Sequence, residues 1–213
     1  MQGFKIQSLA LAIVLLTASP GMAAEKKNII QDLWERIIRS KEQEKPRSVR
    51  GGVCVVTPFP DAVVSLYRPM IAWQGEVKKV NLYRGDADSK LLIWSRWVRI
   101  GKSSVAYDGK PLTAGVYTWE TIGGLSPQQT RFEVASDADR DRRSGLFHVL
   151  NRDFSMQNIP QKDQPVLLLD ALLRENENRL SDVVMEMYEM AGTSEDIETM
   201  RKDFVRLVCE PKK

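Results

Sequence analysis

The hydrophobic pattern of this chain changes period along its length, and each change predicts a change of structure. Between residues 25 and 44, Ile29, Ile30, Leu33, Trp34, Ile37 and Ile38 recur at the spacing of one helical face, which predicts an amphipathic helix. Lys26, Lys27, Arg36, Arg39 and Lys41 lie off that stripe or at its margins, and Pro46 ends it. The helix and the charged linker that closes on Gly51-Gly52 together occupy 24–48 and the residues just beyond.

From Val53 the period shortens to two. The continuous apolar run at 53–57 predicts the first strand, and further strands fit 63–67, 70–74, 77–84, 91–100, 103–107, 115–122 and 130–135. Between them stand Gly85-Asp86, Asp108-Gly109-Lys110-Pro111 and Gly123-Gly124, residues that reverse a chain because they accept or preset turn dihedrals. Seven or eight short strands with no helical spacing between them predict an all-β sandwich over 49–135. In the 115–122 strand Tyr117 and Trp119 are two apart and share a face, as do Ile71 and Trp73. Trp73, Tyr117 and Trp119 are therefore expected as core anchors. Trp94 and Trp97 are three apart and must face opposite ways. One belongs to the core, and the other is expected under the first helix, with exposure as the alternative.

Helical spacing returns at Ser136 and predicts a small bundle over 136–213. Ser136 or Asp137 caps a helix reaching about Phe154. Asp163 and Pro165 open a second helix, with Val166, Leu169, Leu172 and Leu173 inward. A third has Leu180, Val183, Val184, Met187, Tyr188 and Ala191 on one stripe and stops at Gly192. Thr193 or Ser194 caps the fourth, with Ile197, Met200, Phe204, Leu207 and Val208 inward. The methionines at 185, 187, 190 and 200 read as bundle core, Met being a common gap filler.

Residues 1–23 change the setting. Lys5, the apolar run Leu9 to Leu16 and Gly21-Met22-Ala23 have the form of a cleaved signal peptide, which predicts an exported protein of the periplasm or beyond. In an oxidising compartment Cys54 and Cys209, the only two cysteines, are expected to form a bridge from the first strand to the last helix. Two buried free thiols, or an intermolecular bridge, are the alternatives. The net charge of +3 is small beside 31 basic and 28 acidic residues. No clustered basic footprint for nucleic acid results from it.

Candidate chemistry is sparse. His148 is the only histidine; it has no nucleophile motif beside it and reads as a partly buried structural residue. Asp137-x-Asp139-x-Asp141 opens like a calcium loop, but the sixth and twelfth positions hold Arg142 and His148 instead of glycine and a carboxylate. No zinc ligand pair, phosphate-binding glycine loop or cofactor motif is present in the sequence. The expectation is therefore no catalytic residue, no metal and no cofactor. Ile30, Trp34, Ile37, Trp94 and Trp97 form the candidate interaction surface. The first helix packs on its own protein in the preferred reading, and membrane contact by residues 25–44 is the alternative.

The series Pro69-x-Ile71-x-Trp73, Leu91-x-x-Trp94 and Leu112-x-x-Gly115-x-Tyr117-x-Trp119 resembles the immunoglobulin-like or fibronectin type III-like domains of secreted bacterial proteins. The resemblance implies a tyrosine-corner role for Tyr117 and a core role for Trp73. With Arg50-Gly51-Gly52-x-Cys54 and the helical tail, the arrangement is similar to uncharacterised exported proteins of cyanobacterial type. The expected function is a non-catalytic interaction or scaffolding protein of the cell envelope with a protein partner there. A carbohydrate-binding module, or a glycan hydrolase using carboxylates, is the alternative.

Overall fold

The alternating stretch folds into eight strands in two sheets, and the helical stretches fold onto them. The computed structural model describes residues 31–38, 52–85, 90–175, 180–190, 192 and 194–210. Residues 1–23, expected from sequence as a signal peptide, Ile30 and most of the linker lie outside the described residues. Strands β1 (Cys54–Thr57), β3 (Met70–Gln74) and β6 (Ser104–Ala106) form an antiparallel sheet in the order β1-β3-β6. The second sheet has the order β2-β8-β7-β4-β5, from β2 (Ala62–Val64), β8 (Gln128–Val134), β7 (Gly115–Ile122), β4 (Lys79–Arg84) and β5 (Leu91–Trp97). Within it only the β2–β8 pair is parallel.

The inward rows are those that alternation predicts. Val80 and Leu82 of β4, Tyr117 and Trp119 of β7 and Phe132 of β8 are buried. Their rings stack: Tyr117 on Phe132 at 5.8 Å and Trp119 on Phe132 at 6.3 Å between centroids. Trp73 is fully buried in β3. Buried side chains of both sheets and all five helices form one continuous core.

Helix α1 (31–38) is the described part of the amphipathic stretch. Leu33 and Ile37 have no exposed surface, and Trp34 meets Phe204 edge-on at 6.5 Å. Ile37 is thus corrected from candidate interaction surface to core, and Trp34 packs against that core. An isolated short helix is unstable in water, and its apolar stripe is held by burial against the helix that carries Phe204.

Helices α2 (Asp137–Met156), α3 (Gln164–Glu175), α4 (Leu180–Glu189) and α5 (Glu195–Cys209) follow. Ser136 caps α2 by accepting from the Asp139 N–H at 3.3 Å, and Ser194 caps α5 by accepting from Ile197 at 3.2 Å. Gly192 has φ +79°, the left-handed conformation that stops a helix.

Helix α4 departs from its predicted stripe, because every residue from Leu180 to Tyr188 is buried. It contacts β1, β2, β3, α3 and α5. Its polar residues serve the strands beneath. Ser181 Oγ accepts from the Phe59 N–H at 3.0 Å, and the Asp182 carboxylate accepts from the Ser65 N–H at 2.9 and 3.1 Å. Backbone donors in a dry contact must be satisfied, and these side chains supply the acceptors.

Cys54 and Cys209 form the disulfide, with Cα atoms 5.8 Å apart across a sequence separation of 155. It joins β1 to the last residue of α5. Such a bond fits an oxidising compartment. Among the described residues no helix is long and apolar enough to cross a membrane.

Candidate functional site

Register brings three connections to one end of the five-stranded sheet. Trp97, the last residue of β5, lies opposite Lys79 at the start of β4, and Lys79 lies opposite Ile122 at the end of β7. The β3–β4 connection (75–78), the β5–β6 connection (98–103) and the β7–β8 connection (123–127) therefore emerge together. Backbone bonds hold them there: Val98 N–H donates to Lys78 O at 2.9 Å, Lys78 N–H to Ile122 O at 2.8 Å, and Trp73 N–H to Ser103 O at 2.8 Å. Gly123 is required by this closeness, since a Cβ on it would run into the carbonyl oxygen of Glu76. Gly101 turns the longest of the three connections at φ +83°.

The tips are apolar and in water. Trp97 is 75% exposed, Ile100 104% and Leu125 93%. Around them Lys78, Arg99 and Lys102 are exposed, and they form no side-chain ion pair among the described residues. The Lys79 ammonium sits 5.5 Å from the Trp97 ring centroid. A groove of about 840 Å³ continues from these loops to α5 and the end of α4, lined among others by Trp73, Val77, Tyr188 and Arg201. Arg201 lies 4.4 Å over the Tyr188 ring and bonds Glu198 at 2.9 Å.

The two tryptophans of β5 divide as their spacing requires. Trp94 packs inward, edge-on to Trp119 at 5.6 Å and to Tyr107 at 5.8 Å, and its indole N–H donates to Asp108 at 2.7 Å. Trp94 is thereby corrected from candidate surface to a residue packed on the core. Trp97 stays outside, and the expectation that the first helix covers it is also corrected, since α1 packs on α5 instead. Ile30 lies outside the described residues. The rest of β5 is an edge strand with Leu91, Leu92 and Ile93 exposed. Its register shifts between Leu92 and Trp94, an irregularity of the kind that blunts open edges.

Several titratable groups elsewhere are engaged by neighbours. Glu120, on the outer face of the five-stranded sheet, accepts from Asn81 at 2.9 Å, Tyr83 at 2.9 Å and Gln129 at 2.8 Å, with Lys90 at 3.7 Å. Burial pulls its pKa upward, but these donors outweigh it and hold the carboxyl below its ordinary range. A carboxylate saturated with donors and kept ionised is poorly suited to act as a general acid. Glu186 of α4 is the opposite case. Burial pushes it up to about 7 despite its ion pair with Arg143 of α2. Asp137, Asp139 and Asp141 fan out around the start of α2, where Arg140, Arg142 and Tyr67 respectively engage them. His148 is exposed on α2, which corrects the partly buried position expected for it. The inward positions of that helix are Arg140, Leu150 and Phe154.

Pattern reading reached Trp97 but missed Ile100, Leu125, Lys78 and Lys102. Ile100 stands directly before Gly101, and Leu125 directly after Gly123-Gly124. A lone large aliphatic residue within a turn segment was the available signal. Comparison with protein-family models and with curated proteins returns no match.

Proposed function

We propose that this chain is an exported, non-catalytic docking protein of the cell envelope, an interaction or scaffolding component built on an immunoglobulin-like sandwich with a helical bundle at its back. The observation that carries the reading is the loop end itself. Trp97, Ile100 and Leu125 stand in solvent beside Lys78, Arg99 and Lys102, whereas the other described tryptophans are buried or half-buried. Exposed apolar residues gathered at one end and rimmed by charged ones mark an interaction surface.

The immunoglobulin-like assignment is supported by strand order and by one hydrogen bond. The first strands divide between sheets, with β2 parallel to β8, and the Tyr117 hydroxyl donates to Thr113 O at 2.9 Å, four residues upstream. That is the tyrosine-corner arrangement of such sandwiches. Export is supported by the pattern of residues 1–23 together with the disulfide. The exposure of Trp97 also favours a second reading, stacking on a sugar ring. One measurement separates these from glycan hydrolysis. The protein, expressed with its own leader, is incubated with envelope fractions and with peptidoglycan and neutral polysaccharide. Retention on the envelope fraction, lost in Ile100→Ser/Leu125→Ser, is the expected result. Turnover of a glycan without such retention would overturn the docking reading.

A further inference from the structure

We propose that the loop end docks on an anionic lipid surface, with Trp97, Ile100 and Leu125 entering the interfacial layer and the surrounding basic side chains meeting the headgroups. This inference rests on the docking reading above and names what is docked upon.

Three observations select a bilayer over other occupants. The first is shape. Ile100 and Leu125 are almost wholly exposed tips on different connections, and they project from the sheet end. A protein partner is ordinarily met by a close-packed patch with recessed pockets, whereas isolated projecting aliphatic and tryptophan side chains suit a fluid apolar layer. The second is residue type. Trp is enriched where an apolar layer meets headgroups, because its ring is apolar and its N–H polar. Two aliphatic tips have no role in stacking on a sugar, and a face of the Trp97 ring is already approached by Lys79.

The third is charge. These connections and their flanks carry Lys78, Lys79, Arg99 and Lys102 against Glu76. That is an excess of three positive charges, equal to the net charge of the whole chain. Lys202 continues the basic surface along the groove, where Arg201 is paired with Glu198. Long basic side chains beside inserted apolar tips can keep their charges at headgroup level while their stems lie in the apolar layer. Adjacent strands are about 4.8 Å apart, so the ends of β5 and β7, separated by β4, from which these tips continue, lie about 10 Å apart.

The test uses the disulfide-bonded protein and vesicles of phosphatidylglycerol mixed with phosphatidylcholine, compared with phosphatidylcholine alone. Sedimentation reads binding, and quenching by lipids labelled in the acyl chain reads insertion. The mixed vesicles are expected to bind and the neutral ones to bind far less. Lys78→Gln or Lys102→Gln should each weaken binding about fivefold. Ile100→Ser/Leu125→Ser should abolish quenching, and Trp97→Phe should remove most of the quenched signal. All these positions are exposed, and circular dichroism confirms that each variant folds. A soluble glycerol phosphate that competes as well as vesicles would show an anion site rather than a lipid surface and would overturn the proposal. So would absent binding to mixed vesicles, or binding indifferent to the tip variants. If the tip-dependent retention on envelope fractions persists while vesicle binding fails, the partner is a protein. The docking reading then stands and the lipid inference falls.

Discussion

Reduction of the Cys54–Cys209 bond should cost this protein about a third or more of an ordinary domain's stability, because the bond closes a loop spanning most of the described chain. With the cysteines 155 positions apart in sequence, the chain-entropy relation gives about 17 cal/mol/K, or about 5 kcal/mol at 25 °C. The effect lies in the unfolded state. Both sulfur-bearing residues are buried and belong to a core in which β1 also touches α4 and α5. The reduced chain should therefore remain folded but unfold earlier. Equilibrium urea unfolding followed by circular dichroism, with and without a phosphine reductant, measures the change. For a slope of about 2–3 kcal/mol/M the midpoint should fall by roughly 2 M. Cys54→Ala/Cys209→Ala should match the reduced wild type to within about 1 kcal/mol, since each variant loses the link and little else. A midpoint shift under about 0.5 M, with mass spectrometry confirming both redox states, would refute the reasoning.

Two further expectations concern single side chains. Glu186 is raised from 4.5 to about 7 by burial, with Arg143 opposing. Because the folded pKa is the higher one, its contribution is fully present below about pH 4.5 and is lost as pH rises through about 7; the size is about 3 kcal/mol. Glu186→Gln should flatten that part of the stability profile in urea titrations from acid to neutral pH, and parallel wild-type and variant profiles would exclude the mechanism. Tyr117→Phe keeps the ring stacked on Phe132 and removes the hydroxyl's bonds to Thr113 O and the Thr113 hydroxyl. It should cost about 1 kcal/mol, while Tyr117→Ala should cost about 3–5 kcal/mol. An unchanged melting temperature in Tyr117→Phe would remove the corner from the argument.

Alternation, turn chemistry and capping act between residues close in sequence, so they could be read without coordinates. β3 at Met70–Gln74 and β7 at Gly115–Ile122 match the predicted spans residue for residue, and the caps fall on Ser136 and Ser194, each one of the two residues that side-chain chemistry offered. The opposite facing of Trp94 and Trp97 was equally legible, because a strand has period two. What covers each of them was not. The pairing of β2 with β8, the placement of α4 under the strands and the gathering of Trp97, Ile100 and Leu125 at one end join residues far apart in the chain. No local period encodes such a meeting. Ser181 and Asp182 lie off the predicted stripe, yet packing against β1, β2 and β3 buries them and makes them acceptors for the amides of Phe59 and Ser65, which flank β2. Burial is a property of the assembled core, and only the packed structure could decide which polar residues lie inside it and which apolar ones remain outside.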